Sequence, residues 1–159
     1  MVDRMGPQFI HQYLTTEANA AQRKPALLIG QERPLETSIL VDEQRVKWRG
    51  RLDRLEQLNG RTRIVDFKSG ILKNNASELR IKGIETCFDG EHSKAFQLMC
   101  YAWMAYRSDP EAYAKGLELA ILPLQQAEGG PRLLEIDQQS LLTVQSLEEF
   151  ESPKGFIFA

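Results

Sequence analysis

The chain reads as an α/β domain, a central mixed β-sheet built on an antiparallel hairpin and flanked by helices. Three observations predict this. Val46 to Leu58 and Arg61 to Ser69 are rich in β-branched and aliphatic residues, and they meet at Asn59-Gly60, a pair suited to a two-residue turn with positive φ at both positions. Ser93 to Arg107 keeps Phe96, Met99, Cys100, Trp103 and Tyr106 at the spacing of a buried helical face. Gly116 to Leu124 is almost continuously apolar, as an internal strand buried on both faces would be.

Taken in order, Gly6-Pro7 suits a helix start, and Phe9, Ile10, Tyr13 and Leu14 form an apolar stripe that predicts a helix over 7–22. His11 lies off that stripe. Residues 23–31 read as a connection punctuated by Pro25 and Gly30, followed by a strand over 35–41 and a turn at 42–44. After the hairpin, 73–90 is polar and aperiodic, a long loop of the kind that often carries function. Ser93 is expected to cap the second long helix, which Asp109-Pro110 ends. Beyond 116–124, the Gly129-Gly130-Pro131 turn leads to a strand over 132–136, and Asp137 is expected to cap a last helix over 138–150. The apolar end, Gly155 to Ala159, suggests a single domain cut from a longer protein.

The totals bound the class. At 159 residues, with 42% hydrophobic and 26% charged residues, the chain is one globular domain able to bury a core. No run reaches the ~18 apolar residues of a membrane span, and no signal-peptide pattern is visible, so no membrane partner is expected. Two cysteines, Cys87 and Cys100, make no disulfide framework and no four-thiolate cluster site. They are expected to be reduced thiols of a cytoplasmic protein. Net charge is only −2, yet residues 45–68 carry eight Lys or Arg against three acids. That stripe suits a phosphate backbone. The plain alternative is that Arg45, Lys47, Arg54, Arg61 and Arg63 are solvated outward residues of alternating strands.

In a two-residue hairpin Leu58 faces Arg61, which sets Asp53 opposite Asp66 and Arg51 opposite Lys68. All four then share one face. Two carboxylates facing across a ladder repel unless a cation stands between them, and hard oxygen donors suit magnesium or manganese. Neutralisation by Arg51 and Lys68 as an ordinary surface network is the other reading of the same geometry.

Gly50-Arg51-Leu52-Asp53-Arg54, followed across the turn by Ile64-Val65-Asp66-Phe67-Lys68-Ser69-Gly70, resembles the core of the PD-(D/E)xK nucleases, in particular the RecB-type exonuclease domains. Lys94 to Ala102 is similar to the helix that follows the metal site there, and Phe9 to Leu14 to an early helix whose histidine reaches the metal. The resemblance implies a restriction-endonuclease-like fold and a magnesium- or manganese-dependent deoxyribonuclease. It implies Asp53, Asp66 and the backbone carbonyl of Phe67 as metal ligands, with His11 added and Glu32 a weaker candidate. Lys68 and Gln97 would act on the phosphate or the attacking water, and Arg51, Gln97 and Tyr101 would meet DNA, either single strands or duplex ends. The relatives work in recombination and repair beside a helicase domain or subunit. Some hold an iron–sulfur cluster, which two cysteines cannot support. Two other readings remain: a catalytically inactive nuclease-like module for DNA binding or docking, and an unrelated α+β interaction domain in which Asp53 and Asp66 do not face each other.

Overall fold

In the computed structural model, which describes residues 6–41 and 43–152, helix α1 (Gly6–Arg23) leads into an antiparallel meander of β1 (Leu27–Val41), β2 (Gln44–Leu58) and β3 (Arg61–Lys68). Asn59 and Gly60 take φ of 53° and 76°, so the turn twists with the strands it joins. Short 3-10 helices and the short β4 (Arg80–Ile81) then lead to α2 (Ser93–Ser108). Next come β5 (Leu117–Pro123), a 3-10 turn at Leu124–Gly129, the short strands β6 (Arg132–Leu133), β7 (Glu135–Ile136) and β8 (Leu141–Leu142), and α3 (Val144–Glu151).

The main sheet runs β1-β2-β3-β5-β6, with β8 also on β5. Among the described residues β3 and β5 are the parallel pair of this sheet, because the segment carrying α2 crosses over between them; the separate β4–β7 pair is parallel too. The fold is the expected mixed α/β sheet with helices against it, and every residue of β5 is buried. Alternation divides the core. Leu52, Leu55, Ile64, Leu119 and Ile121 pack with α2 residues Leu98, Met99, Ala102 and Trp103. Val65, Ala120 and Leu122 form a second, smaller cluster with Tyr13, Phe67 and Leu133. Among the described residues no helix is long and apolar enough to cross a membrane.

Several expectations need correction. The β1 strand begins at Leu27, inside the expected connection; Leu27, Leu28 and Ile29 are exposed on an edge strand, so no burial pattern marks them. Helix α1 has no buried residue, and Ile10 and Leu14 of its apolar stripe are 56% and 58% exposed. The N-cap of α2 is His92, which makes no side-chain cap bond; Asp89 instead accepts from the amides of Glu91 and His92 one turn earlier. Asp137 starts no helix, since it and Gln138 take left-handed φ of 49° and 66°. The last helix begins after Thr143, which forms a reciprocal capping box with Ser146. Residues 132–136 split into two dipeptide strands, one on β5 and one paired with β4. Gly155 to Ala159 lies outside the described residues.

Candidate active site

The register from Leu58↔Arg61 to Arg54↔Val65 is the expected one. One step further the ladder stops. Asp53 does not form a ladder pair with Asp66; its Oδ2 accepts the backbone N–H of Phe67 at 2.7 Å. Leu52 and Leu55 both enter the core, so strict alternation on β2 breaks between them, at Asp53 and Arg54. On β1 the residue at that level is Glu32, between the pairs Gln31↔Arg54 and Arg33↔Leu52, and it takes a left-handed φ of 48°. Arg51 therefore does not face Lys68. It reaches Glu32, with Nη1 3.3 Å from Oε2.

Asp66 and Lys68 share the parity of Ile64 and point to the α2 side of the sheet. Asp66 is 4% exposed. Lys68 Nζ lies 2.8 Å from Asp66 Oδ2 and donates to Gln97 Oε1, also at 2.8 Å. Gln97 Nε2 donates to the Tyr101 hydroxyl at 2.9 Å, one helical turn away, and lies 3.4 Å from Asp66 Oδ1. Gly50 makes that arrangement possible. A Cβ there would stand 2.7 Å from Met104 Cε, a movable tip, and 3.1 Å from Tyr101 Cε1, so glycine leaves the Tyr101 ring its room against β2. The chain leaving β3 is held by the 124–129 turn, where Gln125 Nε2 donates to the Ser69 carbonyl at 2.8 Å and Gln126 Oε1 accepts from the Leu72 amide at 3.0 Å.

Burial pushes the Asp66 carboxyl above its ordinary range, the adjacent Lys68 pulls it back, and the nearby Asp53 pushes it up again; the net direction is upward. Oδ2 is buried with no well-directed hydrogen bond, although the ammonium stands beside it. A desolvated carboxylate oxygen in that condition, close to a second carboxylate, fits a hard divalent cation. Among the described residues no group of three or more His, Cys, Asp or Glu stands together as a ligand set. His11 is exposed on α1 and lines a cleft with Gln12, Thr15, Glu128 and Gly130. Burial pushes the thiols of Cys87 and Cys100 up to about 12, which keeps them protonated.

Two of the cations expected to be solvated are not. Arg54 and Arg63 side chains are 14% and 13% exposed and converge on Glu56, itself 1% exposed. Arg54 also reaches Glu17 at 2.6 Å and the Tyr13 hydroxyl at 3.3 Å, tying α1 to β2 directly beside Asp53. The signal was available: the hairpin register that brings Leu58 to Arg61 also sets Glu56 opposite Arg63.

The family model of the PD-(D/E)XK nuclease superfamily matches residues 3–152, and the chain belongs to that superfamily. Its members typically use divalent metal ions. No curated protein matches the chain. It is similar to the crystal structure of SSO0001, with 15% sequence identity and a TM-score of 0.40 over 89% of this chain, and it spans 55% of that protein's length.

Proposed function

We propose that the chain is a divalent-metal-dependent DNA exonuclease of RecB type, hydrolysing phosphodiester bonds in recombination or repair and linked to a helicase. The observation that carries the reading is the convergence of Asp53, Asp66, Lys68 and Gln97 where β2 parts from β3, with Lys68 Nζ 2.8 Å from both Asp66 and Gln97. Asp53, Asp66 and the Phe67 carbonyl would hold magnesium or manganese, with His11 and Glu32 as further candidates. When bound, that ion supplies an acidified water and neutralises charge on the scissile phosphate. Lys68 holds a positive group beside the buried carboxylate, where it stabilises the negative charge that grows on the phosphate. Gln97 aims Lys68 through its carbonyl oxygen, and its amide can hold a phosphate oxygen or a water without adding charge. Tyr101 orients Gln97 in turn, and Arg51 stands close enough along β2 to meet the DNA backbone.

Labelled single strands and blunt duplexes incubated with the protein and magnesium or manganese test this. Mononucleotide release is expected, abolished by chelator and by Asp66→Ala or Lys68→Ala. Digestion that survives all three removes the assignment. Among the described residues no group of three or more His, Cys, Asp or Glu stands together, which favours a second reading, a catalytically inactive module for DNA binding or docking. Calorimetric titration with manganese separates the two, because an inactive module binds no ion at Asp53 and Asp66.

A further inference from the structure

The β1–β2 pair extends well past the sheet. Its ladder runs from Leu27↔Gln57 to Val41↔Gln44, whereas β3 joins β2 only from Arg54 to Leu58. Residues 33–41 and 44–52 therefore stand out as a two-stranded ribbon. One face is committed to α2: Leu35, Ile39 and Leu52 are buried there, the Trp48 ring meets Trp103 edge-on at 5.9 Å, and Gly50 receives Tyr101. Alternation sends Arg45, Lys47, Arg49 and Arg51 to the other face. All four are exposed, with Lys47, Arg49 and Arg51 side chains at 57%, 70% and 67%. At about 3.4 Å per residue they span roughly 20 Å.

Among the described residues two carboxylates answer these four cations. Glu36 lies 2.9 Å from Arg49 and 3.6 Å from Lys47, and Glu32 lies 3.3 Å from Arg51. Arg45 makes no ion pair among the described residues. Exposed pairs of this kind contribute little to stability, so they exchange readily for phosphate while keeping the long side chains extended and in line. The stripe also has a direction: it ends at Arg51, two residues before Asp53, and Arg51 binds Glu32, the β1 residue at the level of Asp53.

We propose that the outer face of this ribbon, through Arg45, Lys47, Arg49 and Arg51, is a track for the sugar–phosphate backbone of a DNA strand that crosses to Asp66 and Lys68, on the α2 side, where β2 parts from β3. The proposal rests on the nuclease reading for its destination, but the contact itself needs no metal and no catalysis. Guanidinium groups grip phosphate oxygens in pairs and the lysine adds a point charge, so the track is indifferent to sequence. The carboxylate of Glu36 competes with phosphate for two of its cations.

Fluorescence anisotropy of a labelled twenty-nucleotide single strand, and of the matching duplex, in EDTA across a salt series tests the track. Wild type is expected to bind, with affinity falling as salt rises. The variant R45Q/K47Q/R49Q/R51Q is expected to bind at least tenfold more weakly, with the single-strand salt slope shallower by about 3, at ~0.7 per lost phosphate contact. R45Q alone, which disturbs no described ion pair, should reduce the slope by about 0.7. Glu36→Gln should tighten binding several-fold, a change of sign that a merely structural role for the stripe does not give. Unchanged affinity and slope in the quadruple variant, or no binding by wild type in EDTA, overturns the proposal. Cleavage by a quadruple variant that binds like wild type sinks the track and leaves the nuclease intact. Stripe-dependent binding by a wild type that never cleaves sinks the nuclease reading and leaves the track.

Discussion

Asp66 carries the conflict between stability and chemistry on a single side chain. Its carboxyl is raised in the folded protein mainly by burial, so the native state holds that proton more tightly than the unfolded chain does. The contribution to stability is full below the ordinary carboxyl pKa and is lost as pH rises through the raised value. At neutral pH the ionised group is a burden on the fold. Asp66→Asn should therefore raise the melting temperature by a few degrees at pH 7, with the gap to wild type closing as pH falls, while lowering nuclease activity by ~100-fold or more; a variant that melts below wild type at pH 7 contradicts this. A bound divalent ion offsets the same burden. Manganese at about 100 times its dissociation constant should stabilise wild type by about 2.7 kcal/mol and leave Asp66→Asn unmoved, as melting curves with and without the ion would record. Lys68→Gln removes the group that holds the carboxyl down, so NMR titration should find Asp66 protonated to still higher pH.

The elements are joined by contacts of unequal kind, and α1 is the clearest case. With no buried residue, it is tied down by the Tyr13–Phe67 ring contact at 5.8 Å and by Arg54 reaching Glu17 and Tyr13. Arg54→Met leaves Glu17 unpaired and Glu56 with Arg63 alone. The expected loss is about 3 kcal/mol, with hydrogen exchange rising first over residues 6–23. Uniform protection across α1 and the sheet would show that the helix does not depend on this arginine. Gly50→Ala tests the other helix. Its Cβ would meet the Met104 methyl, which can swing aside, and the Tyr101 ring, which must give by a few tenths of an ångström, at a cost of about 1 kcal/mol. Activity should fall further than stability, because Gln97 and Tyr101 move together. The hairpin was legible because Asn59-Gly60 admits one turn geometry and alternation then counts the pairs. Where that ladder ends was not legible, since it depends on Glu32 taking a left-handed conformation and on Asp53 accepting a backbone amide. The orientation of α1 escaped for a related reason: its apolar stripe suggested burial, but a polar latch decides which face meets the sheet.

At the scale of the whole molecule, order of elements and the mixed sheet could be read from sequence, because β5 is a continuous apolar run and α2 has a strong period. The β4–β7 pair could not, because dipeptide strands carry no period and their partners are set by chain path alone. The candidate site divides in the same way. Asp53, Asp66 and Lys68 stood out by their places around the hairpin, Gln97 only through the resemblance of its helix to the one that follows the metal site in the RecB-type nucleases, and the long cationic ribbon was visible only as a local excess of charge until its two faces were separated. The parallel contact between β3 and β5 sets a further condition. Asp66 lies beside Ile121 in register, so the strand that seats it against the far side of the sheet is made long after the hairpin has formed. A nascent chain released only as far as Ser108 would own both acids, the lysine and the glutamine, yet lack the platform that drives Asp66 out of water. The cutting proposed for this site therefore waits for Leu117–Pro123 to leave the ribosome and pair with β3.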